Sequence, residues 1–466
     1  MASLSTSDNN CGVVFSDLEK ADYQNLIKVA NTSIKDLTHD NSSLLVFPEV
    51  LGSFEDGIEE QHVFDLCGNP DDKNVKLTTG NLMGFIGMGD TLLKITSRFS
   101  KDDNKDFFLH YMLQKVFAIN LFDYKYTSDS NGELDLLMLS FPLLLKKALA
   151  QGLYKQYQTF SRNDENVKGV IDVNRHIKQN IPFNGKVAYK SRERTFDNSL
   201  TELIRHTIEY IKTKSFGRAV LNCDLETKRC VQEVTAATIS YNLRNREKIL
   251  SENLKPINHP YYTAYRPLQK LCLAILRHKK IGYGNSKKKV YGILFDGAWL
   301  WEEYLATVLK KAGFLHPKNK SGTGAISVYK GNPRYPDFYK GKQISENPSE
   351  SDILENFVLD AKYKHLDNNK FGSDEIKASF SRDDLHQLIT YMYIMPAKKG
   401  ALIYPYDKED KRNNGEVIVS DEKSVFGYGG TVCTYGVPIP LKQEYSEFAE
   451  CMKLVERNIS LHTDKR

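Results

Sequence analysis

Apolar residues recur at helical spacing through the middle of the chain. The stretches DFFLHYMLQKVFAINLF and YRPLQKLCLAILRHKK place their apolar residues on one helical face, and SLTELIRHTIEYIKTK begins with Ser199 and Glu202 at the spacing of a capping box. The first hundred residues differ, because a helical stretch, LEKADYQNLIKVANTSI, is followed by a strand-like segment, SLLVFPEVL. The pattern predicts an α+β region followed by a mostly helical one.

Helices and strands alternate in the last part of the chain. Helices are predicted in DGAWLWEEYLATVLKKAG and DDLHQLITYMYIM, and strands in PDFYK, FVLDAKYK and GALIYPY. Before them, KKIGYGNSKKKV has no acidic residue and predicts a linker near residue 285. We therefore expect an α/β protein with three domains: an acidic, partner-facing α+β domain (1–104), a mostly helical domain (105–285), and an α/β domain with a mixed central sheet flanked by helices (286–466).

A glycine-rich segment, NLMGFIGMGDTLLKITSRF, predicts two strands joined by a turn that contains Gly84, Gly87 and Gly89. The order of these glycines is the reverse of a GxGxxG fingerprint and no clear helix follows, so a hairpin is favoured over a phosphate-binding loop. An exposed turn of this kind is also a reasonable contact point for a protein partner.

Composition excludes several classes of protein. The chain is 41% hydrophobic and 26% charged, as in ordinary globular proteins. Its longest apolar run, LLMLSFPLLL, is too short to span a bilayer, and the N-terminus lacks the pattern of a signal peptide. The seven cysteines form no CxxC pair, which argues against a disulfide framework or a zinc site. We expect a cytoplasmic protein without membrane contact.

Charge is unevenly distributed along the sequence. Residues 1–90 hold 15 Asp or Glu and 5 Lys or Arg, a net of −10, whereas the whole chain has a net of +5, so the remainder carries +15. The basic remainder of the chain suits a polyanion such as DNA, and the acidic residues 1–90 suit a protein partner better. A solvated acidic face is the commoner cause of such asymmetry.

One aspartate occupies a strongly basic segment. Between residues 310 and 342 there are eight Lys or Arg, and Asp337 is the only carboxylate. Taken alone, it would be a turn aspartate after Pro336. In FVLDAKYK, however, strand alternation places Asp360 and Lys362 on one face, about 6 to 7 Å apart. If PDFYK pairs with this strand, Asp337 lies beside Asp360, and two carboxylates form a hard-oxygen site suited to Mg²⁺.

The order Pro336-Asp337 followed by Asp360-Ala361-Lys362 resembles the signature of the PD-(D/E)xK nucleases. An upstream helix carries Glu302 and Glu303, and many such nucleases supply a further acid from this helix. The resemblance implies a restriction-endonuclease-like domain in which catalysis involves Asp337, Asp360, Lys362 and Glu302. It also implies a metal site of Asp337, Asp360, Ala361 and Glu302 that binds Mg²⁺, with Mn²⁺ as a substitute. Glu303 is adjacent, and helix rotation could favour it instead.

Further residues are expected to support the site or to contact DNA. Gln387 and Tyr391 stand at the QxxxY spacing of RecB-like nucleases, one helical turn apart. Lys364 shares the strand face of Lys362 and is a candidate DNA contact together with Arg334, although a solvated lysine is the default interpretation of Lys364.

A longer series of segments is similar to the McrC family, the nuclease subunit of McrBC-type, modified-cytosine-dependent restriction systems. The resemblance covers about residues 82–405 and rests on TSRFSKDDNKDFFLHYML, KGVIDVNRHI, RTFDNSLTELIRHT, AYRPLQKLCLAIL, LWEEYL, YPDF, LDAKYK and HQLITYMY. It implies a DNA endonuclease activated by a separate AAA+ GTPase. The sequence has no GxxxxGK[ST] motif, so we expect no nucleotide to be bound by this chain.

Two other functions are compatible with the same features. The chain could be a regulatory adaptor that binds and stimulates the AAA+ motor, with a secondary nuclease fold. It could also be a stand-alone RecB-like repair nuclease, which the roughly 280 residues before the nuclease segment disfavour. The presence of Asp337, Asp360 and Lys362 together favours an active nuclease over a degenerate one.

Overall fold

The computed structural model describes residues 2–40, 43–51, 58–100, 105–119, 132–214, 216–277, 290–317, 326–327, 333–341, 356–365, 381–407, 415–420, 422–427 and 429–464. The chain divides into two compact units. One comprises residues 1–139 together with 281–466, and the other comprises residues 140–280. None of the helices in the described ranges has the length and apolar composition needed to cross a bilayer.

The first part of the larger unit is a mixture of strands and helices. Its elements are β1 (Ala2–Ser7), β2 (Val13–Phe15), α1 (Lys20–Leu26), α2 (Ile34–Asp40), β3 (Ser43–Phe47), β4 (Phe64–Cys67), β5 (Val75–Thr79), β6 (Leu82–Met88), β7 (Thr91–Thr96) and α3 (Phe107–Val116). Helix α4 (Gly132–Leu149) contains the boundary between the two units, which falls after residue 139. The smaller unit contains β8 (Gln156–Asp164), β9 (Val170–Ile171), α5 (Val173–Asn180), β10 (Val187–Thr195), α6 (Ser199–Lys212), α7 (Gly217–Leu221), α8 (Leu225–Ala237), α9 (Arg246–Glu252) and α10 (Tyr265–Arg277).

The chain then returns to the larger unit. The remaining elements are β11 (Val290–Asp296), α11 (Gly297–Leu309), β12 (Ile326–Ser327), β13 (Pro333–Arg334), β14 (Phe338–Lys340), β15 (Phe357–Ala361), α12 (Arg382–Ile394), β16 (Lys399–Tyr406), β17 (Ile418–Val419), β18 (Lys423–Ser424), β19 (Thr431–Pro438) and α13 (Tyr445–Asp464). The predicted α/β class is confirmed.

Strand β11 joins the N-terminal sheet although it is about 190 residues away from it in sequence. The strand order of this sheet is β1-β7-β6-β11-β3, and all seven residues of β11 are buried. The two units therefore do not coincide with the predicted domains 1–104, 105–285 and 286–466. A cut at residue 285 would remove β11 from between β6 and β3.

The predicted hairpin exists, but its glycines are not all in the turn. Strands β6 and β7 pair antiparallel, and Gly89 and Asp90 alone connect them. Gly84 lies within β6 at a φ of +130°, where an added Cβ would approach the Ile293 carbonyl oxygen to 2.2 Å. Every residue of β6 is buried, so the accessible part of this hairpin is its turn at Gly89 and Asp90 and does not include Gly84 or Gly87. The expected contact of this turn with a partner stays a prediction.

A second sheet carries the predicted chemistry. Its strand order is β14-β15-β16-β19-β17, in which β14 runs antiparallel to β15 while β15, β16 and β19 are parallel. Helix α12 lies in the connection between the parallel strands β15 and β16, and its buried Leu388 and Met392 pack into the same core as Val358 and Leu402. The side chain of Ser381 caps this helix by accepting a hydrogen bond from the Asp384 amide.

The smaller unit combines an antiparallel sheet, β8-β10-β9, with helices α5 to α10. Helix α6 is capped by Asn198, whose side chain accepts from the amides of Leu200 and Thr201, while the Thr201 hydroxyl accepts from the Asn198 amide. The capping box was predicted one residue too late, because Ser199 is already the first helical residue.

Candidate active site

The antiparallel pairing of β14 with β15 brings two aspartates together. Phe338 lies opposite Leu359, so the residue before Phe338 and the residue after Leu359 are neighbours across the ladder. Asp337 Oδ2 accepts a hydrogen bond of 2.7 Å from the amide of Ala361, which follows Asp360. The predicted pairing of PDFYK with FVLDAKYK is thereby confirmed.

Asp360 and Lys362 form a close ion pair on this strand. The side chain of Asp360 is fully buried, and Lys362 Nζ lies 2.6 Å from its Oδ2. Neither carboxylate oxygen of Asp360 has a well-aligned hydrogen bond with any described residue. The lysine therefore compensates the charge of Asp360 while leaving its oxygens available to a further ligand.

Burial dominates the electrostatics of the two aspartates. It raises the pKa of Asp337 to about 8, and the nearby Asp360 charge adds to this effect. Burial likewise raises the pKa of Asp360, against the opposing effect of Lys362. For Lys362, burial lowers the pKa, but the carboxylates of Asp360, Asp337 and Asp384 together outweigh it, so the net pKa is raised. With both aspartates ionised, the site would carry more negative charge than one ammonium can neutralise, so a bound cation would favour the doubly ionised form.

Helix α12 supports the lysine from the other side. Lys362 Nζ donates to Gln387 Oε1 at 3.1 Å, and Gln387 Nε2 donates to the Tyr391 hydroxyl at 3.2 Å. Gln387 is exposed, so the site is open to solvent here. The structure brings both predicted supporting residues to the site, because residues four apart lie on one face of a helix.

Asp384 is a site residue that the sequence prediction missed. Its carboxylate pairs with Lys364 and lies 3.9 Å from Lys362 Nζ. Burial raises the pKa of Asp384, but the hydrogen bonds from Lys364 and Ser381 and the charges of Lys364 and Lys362 together outweigh it and hold the pKa below its usual value. Its position three residues before Gln387, on the same helical face, was the available signal. Lys364 is thus held by an acid of the protein, which weakens its candidacy as a DNA contact.

The glutamates of α11 reach the site through a histidine. His316 Nδ1 lies 2.8 Å from the Asp337 carbonyl oxygen and 3.7 Å from Glu302 Oε1, and its Nε2 lies 3.8 Å from Glu303 Oε1. His316 was not anticipated, since no motif surrounds it. Both glutamates contact the same ring, and the choice between them stays open.

Arg334, the other candidate DNA contact, lies on a different strand from the acids and the lysine of the site. Arg334 is exposed on the short strand β13, where it lies opposite Ile326 of β12. Its predicted contact with DNA stays a prediction.

A divalent cation fits this group through Asp337 and Asp360. No three His, Cys, Asp or Glu side chains gather into a ready metal-binding group within the described ranges. Mg²⁺ commonly uses only one or two carboxylates, together with water and phosphate oxygens, so the two aspartates suffice. The backbone of Ala361, which is bonded to Asp337, is the third predicted member of the metal site. The fourth, Glu302, lies 3.7 Å from the ring of His316.

Comparison with known proteins decides the family. Residues 77–405 match the family described as "McrBC 5-methylcytosine restriction system component". The chain belongs to this McrBC family. The family relationship expected from the sequence is confirmed, and every candidate site residue from Glu302 to Tyr391 lies inside the matched segment.

Two solved assemblies of McrBC proteins are also similar to this chain. One is a chain of a half-complex from the tetradecameric assembly of Thermococcus gammatolerans McrB AAA+ hexamers with bound McrC, with 16% identity, coverage of 97% of this chain and 99% of that one, and a TM-score of 0.49. The other is from the Thermococcus gammatolerans McrBC complex, with 15% identity, coverage of 67% and 88%, and a TM-score of 0.32. Neither likeness is close enough to assign an activity. No curated protein matches the chain.

Proposed function

We propose that this chain is the nuclease subunit of a McrBC-type restriction system, a Mg²⁺-dependent DNA endonuclease that acts in the cytoplasm. The observation that carries the proposal is the convergence of Asp337, Asp360 and Lys362, with Lys362 Nζ 2.6 Å from Asp360 and Asp337 bonded to the Ala361 amide. A buried acid pair with one lysine is costly to a fold unless a cation or substrate uses it.

The surrounding fold supports a PD-(D/E)xK domain. The site lies where β14 and β15 meet, on a mixed sheet that α12 covers on one face. The motif residues come from two neighbouring strands, and the QxxxY residues come from the helix that follows. This arrangement fits the restriction-endonuclease-like domain that the sequence motifs imply.

Each residue of the site has a chemical role that follows from its environment. Asp337 and Asp360 would hold Mg²⁺, which when bound supplies Lewis-acid stabilisation of charge on the phosphate. Because the pKa of Lys362 is raised, its side chain is an ammonium near neutral pH. Lys362 therefore acts as a hydrogen-bond donor that orients water or stabilises phosphate charge, rather than as a base. Gln387 fixes the direction of this donor.

We further propose that a separate AAA+ GTPase binds this chain and drives cleavage. The chain lacks a GxxxxGK[ST] motif, so a motor must be supplied by another chain. The smaller unit exposes a run of apolar side chains, here named the docking patch: Val167, Val170, Ile171, Val173, Ile177, Ile181 and Phe183. Exposed apolar side chains concentrated in one segment are typical of protein interfaces. The acidic residues 1–90 are a second candidate surface for a protein partner.

The test is reconstitution of cleavage with the full-length chain. The purified protein, its AAA+ motor, GTP and Mg²⁺ are incubated with methylated and unmethylated plasmid. We expect cleavage of the methylated DNA that stops when EDTA is added. Stimulated GTP hydrolysis without any DNA cleavage, under conditions that support a reference restriction nuclease, would instead favour the regulatory adaptor.

A further inference from the structure

Arg98 lies in a buried network beside the strand that carries the candidate site. Its side chain is 5% exposed and pairs with the fully buried Asp8, with Nε donating to Asp8 Oδ2 at 2.9 Å. One terminal nitrogen, Nη2, also donates to Asn81 Oδ1 at 2.6 Å. The other, Nη1, donates to the backbone carbonyl of Tyr363 at 3.4 Å. The guanidinium thus binds three separate segments at once.

Tyr363 is the residue directly after Lys362, and its ring is fixed on several sides. The Arg98 guanidinium carbon lies 4.8 Å from the ring centroid, and Phe99 packs edge-on at 5.2 Å. The hydroxyl of Tyr363 lies 2.8 Å from Ser97 Oγ. These contacts hold both the backbone and the side chain at the end of β15.

The same network reaches the helix that carries Glu302. The carbonyl of Asn81 accepts a hydrogen bond of 2.8 Å from the amide of Gly297, the first residue of α11. An added Cβ at Gly297 would lie 2.5 Å from the ring of Tyr363, so helix and strand meet here without room for a side chain. Arg98 is therefore connected, through Asn81, to the start of α11 and, through Tyr363, to the residues that follow the end of β15.

We infer that Arg98 is a positioning residue of the nuclease site, which sets the placement of Lys362 relative to Asp360 and of α11 relative to both. The expected effect on cleavage rests on the proposed function, whereas the effect on the placement of Lys362 and α11 does not. The physical reason is that Tyr363 directly follows Lys362, so a displacement at the Tyr363 carbonyl is passed through the Tyr363 Cα and amide to the lysine backbone. Shifts of about 1 Å at a catalytic group can lower a rate about 100-fold.

The substitution Arg98→Lys separates the positioning role of this side chain from its charge. Arg98→Lys keeps a cation near Asp8 but loses the planar fork that binds Asn81 and Tyr363 simultaneously. In the full-length protein we expect the amides of residues 357–364 to exchange with deuterium about tenfold faster than in wild type, since they lose a local restraint. With the motor and GTP present, we expect kcat for cleavage to fall about 10- to 100-fold while KM for DNA changes less than about twofold.

The matched control is Arg457→Gln, which removes an exposed arginine on α13 and should alter neither measurement. If Arg98→Lys does not fold, both experiments are carried out with Asn81→Ala, which removes one hydrogen-bond acceptor of the Arg98 guanidinium. Unchanged exchange at residues 357–364 in a folded variant would overturn the inference, whatever the cleavage result. Faster exchange in a protein whose wild type cuts no DNA would uphold the positioning and refute the proposed function instead.

Discussion

The amide of Ala361 donates a hydrogen bond to Asp337 Oδ2 across 2.7 Å, joining two strands at the point where the acids lie. This bond fixes one carboxylate oxygen of Asp337, and the nearby charge of Asp360 contributes to the raised pKa of Asp337. A single backbone contact thereby decides that residues 24 apart in sequence share one site. The predictions below follow from this arrangement and its surroundings.

Replacing Asp360 should abolish cleavage without unfolding the protein. We expect both Asp360→Ala and Asp360→Asn to lower the cleavage rate by about three orders of magnitude, because loss of cation binding removes several kcal/mol of stabilisation from the transition state. Motor binding and stimulation of its GTPase should be retained. Asp383→Asn, an exposed neighbour on α12, is the control for plasmid cleavage. Full cleavage by an Asp360 variant would exclude this strand as the site.

Stability without metal should depend on pH through Asp337. Its pKa is raised to about 8, chiefly by burial. A carboxyl group whose pKa is higher in the folded state than in the unfolded state stabilises the fold fully below the unfolded-state pKa of about 4. This stabilisation is lost as pH rises through about 8. Asp337→Asn stays neutral and keeps an oxygen for the Ala361 amide. In EDTA, its Tm relative to wild type should therefore increase from about pH 5 to about pH 8.

Added Mg²⁺ provides the complementary measurement for Asp337. At about pH 8 the cation should raise the Tm of wild type more than that of Asp337→Asn, since only wild type presents two carboxylates to it. A Tm difference that is flat across this pH range in EDTA, together with equal responses to Mg²⁺, would contradict the coupled acid pair.

The hydrogen bond from Lys362 to Gln387 should have a smaller and separable effect. Gln387→Ala removes the acceptor, and we expect cleavage to slow by up to about tenfold, since one hydrogen bond contributes about 1 kcal/mol. Tyr391→Phe removes only the acceptor for Gln387 Nε2 and should slow cleavage less. Tyr393→Phe, on the same helix but 72% exposed, should leave the rate unchanged. A rate for Gln387→Ala equal to wild type would show that Lys362 needs no such support.

The chain by itself should cut DNA poorly or not at all. It carries the proposed nuclease residues and no GxxxxGK[ST] motif, and the proposed function assigns delivery of the DNA to a separate motor. The measurement is plasmid cleavage with Mg²⁺ alone, compared with cleavage after addition of motor and GTP. Robust cleavage by the isolated chain would support the stand-alone repair nuclease instead.

Charge placed in the docking patch should weaken motor binding. Phe183, 69% exposed, and Ile177, on the outer side of α5, are the positions chosen. We expect the double variant Ile177→Asp with Phe183→Asp to raise the Kd for the motor more than tenfold, because burying two unpaired carboxylates in an interface is costly. Leu225→Asp, at an 82% exposed apolar position outside the patch, is the control. Equal Kd values for both variants would place the motor contact elsewhere.

The chemistry of the candidate site was available from sequence because it depends on short-range rules. Side chains alternate along a strand, so Asp360 and Lys362 had to share a face, and helical periodicity put Gln387 and Tyr391 on another. The α/β class followed from the same two periods. Each of these inferences needs only neighbouring residues.

Long-range pairing was decided by the tertiary structure alone. From the sequence, strand β11 is predicted at the start of the last domain, yet it lies between β6 and β3 in the N-terminal sheet. An apolar strand is stabilised most where both of its faces are covered, and all seven residues of β11 are buried there. His316 and Arg98 also became visible only in three dimensions, because no local pattern distinguishes a buried or paired polar side chain from a solvated one. The sequence determined which groups can do the chemistry, and the packing of distant segments determined which of them meet.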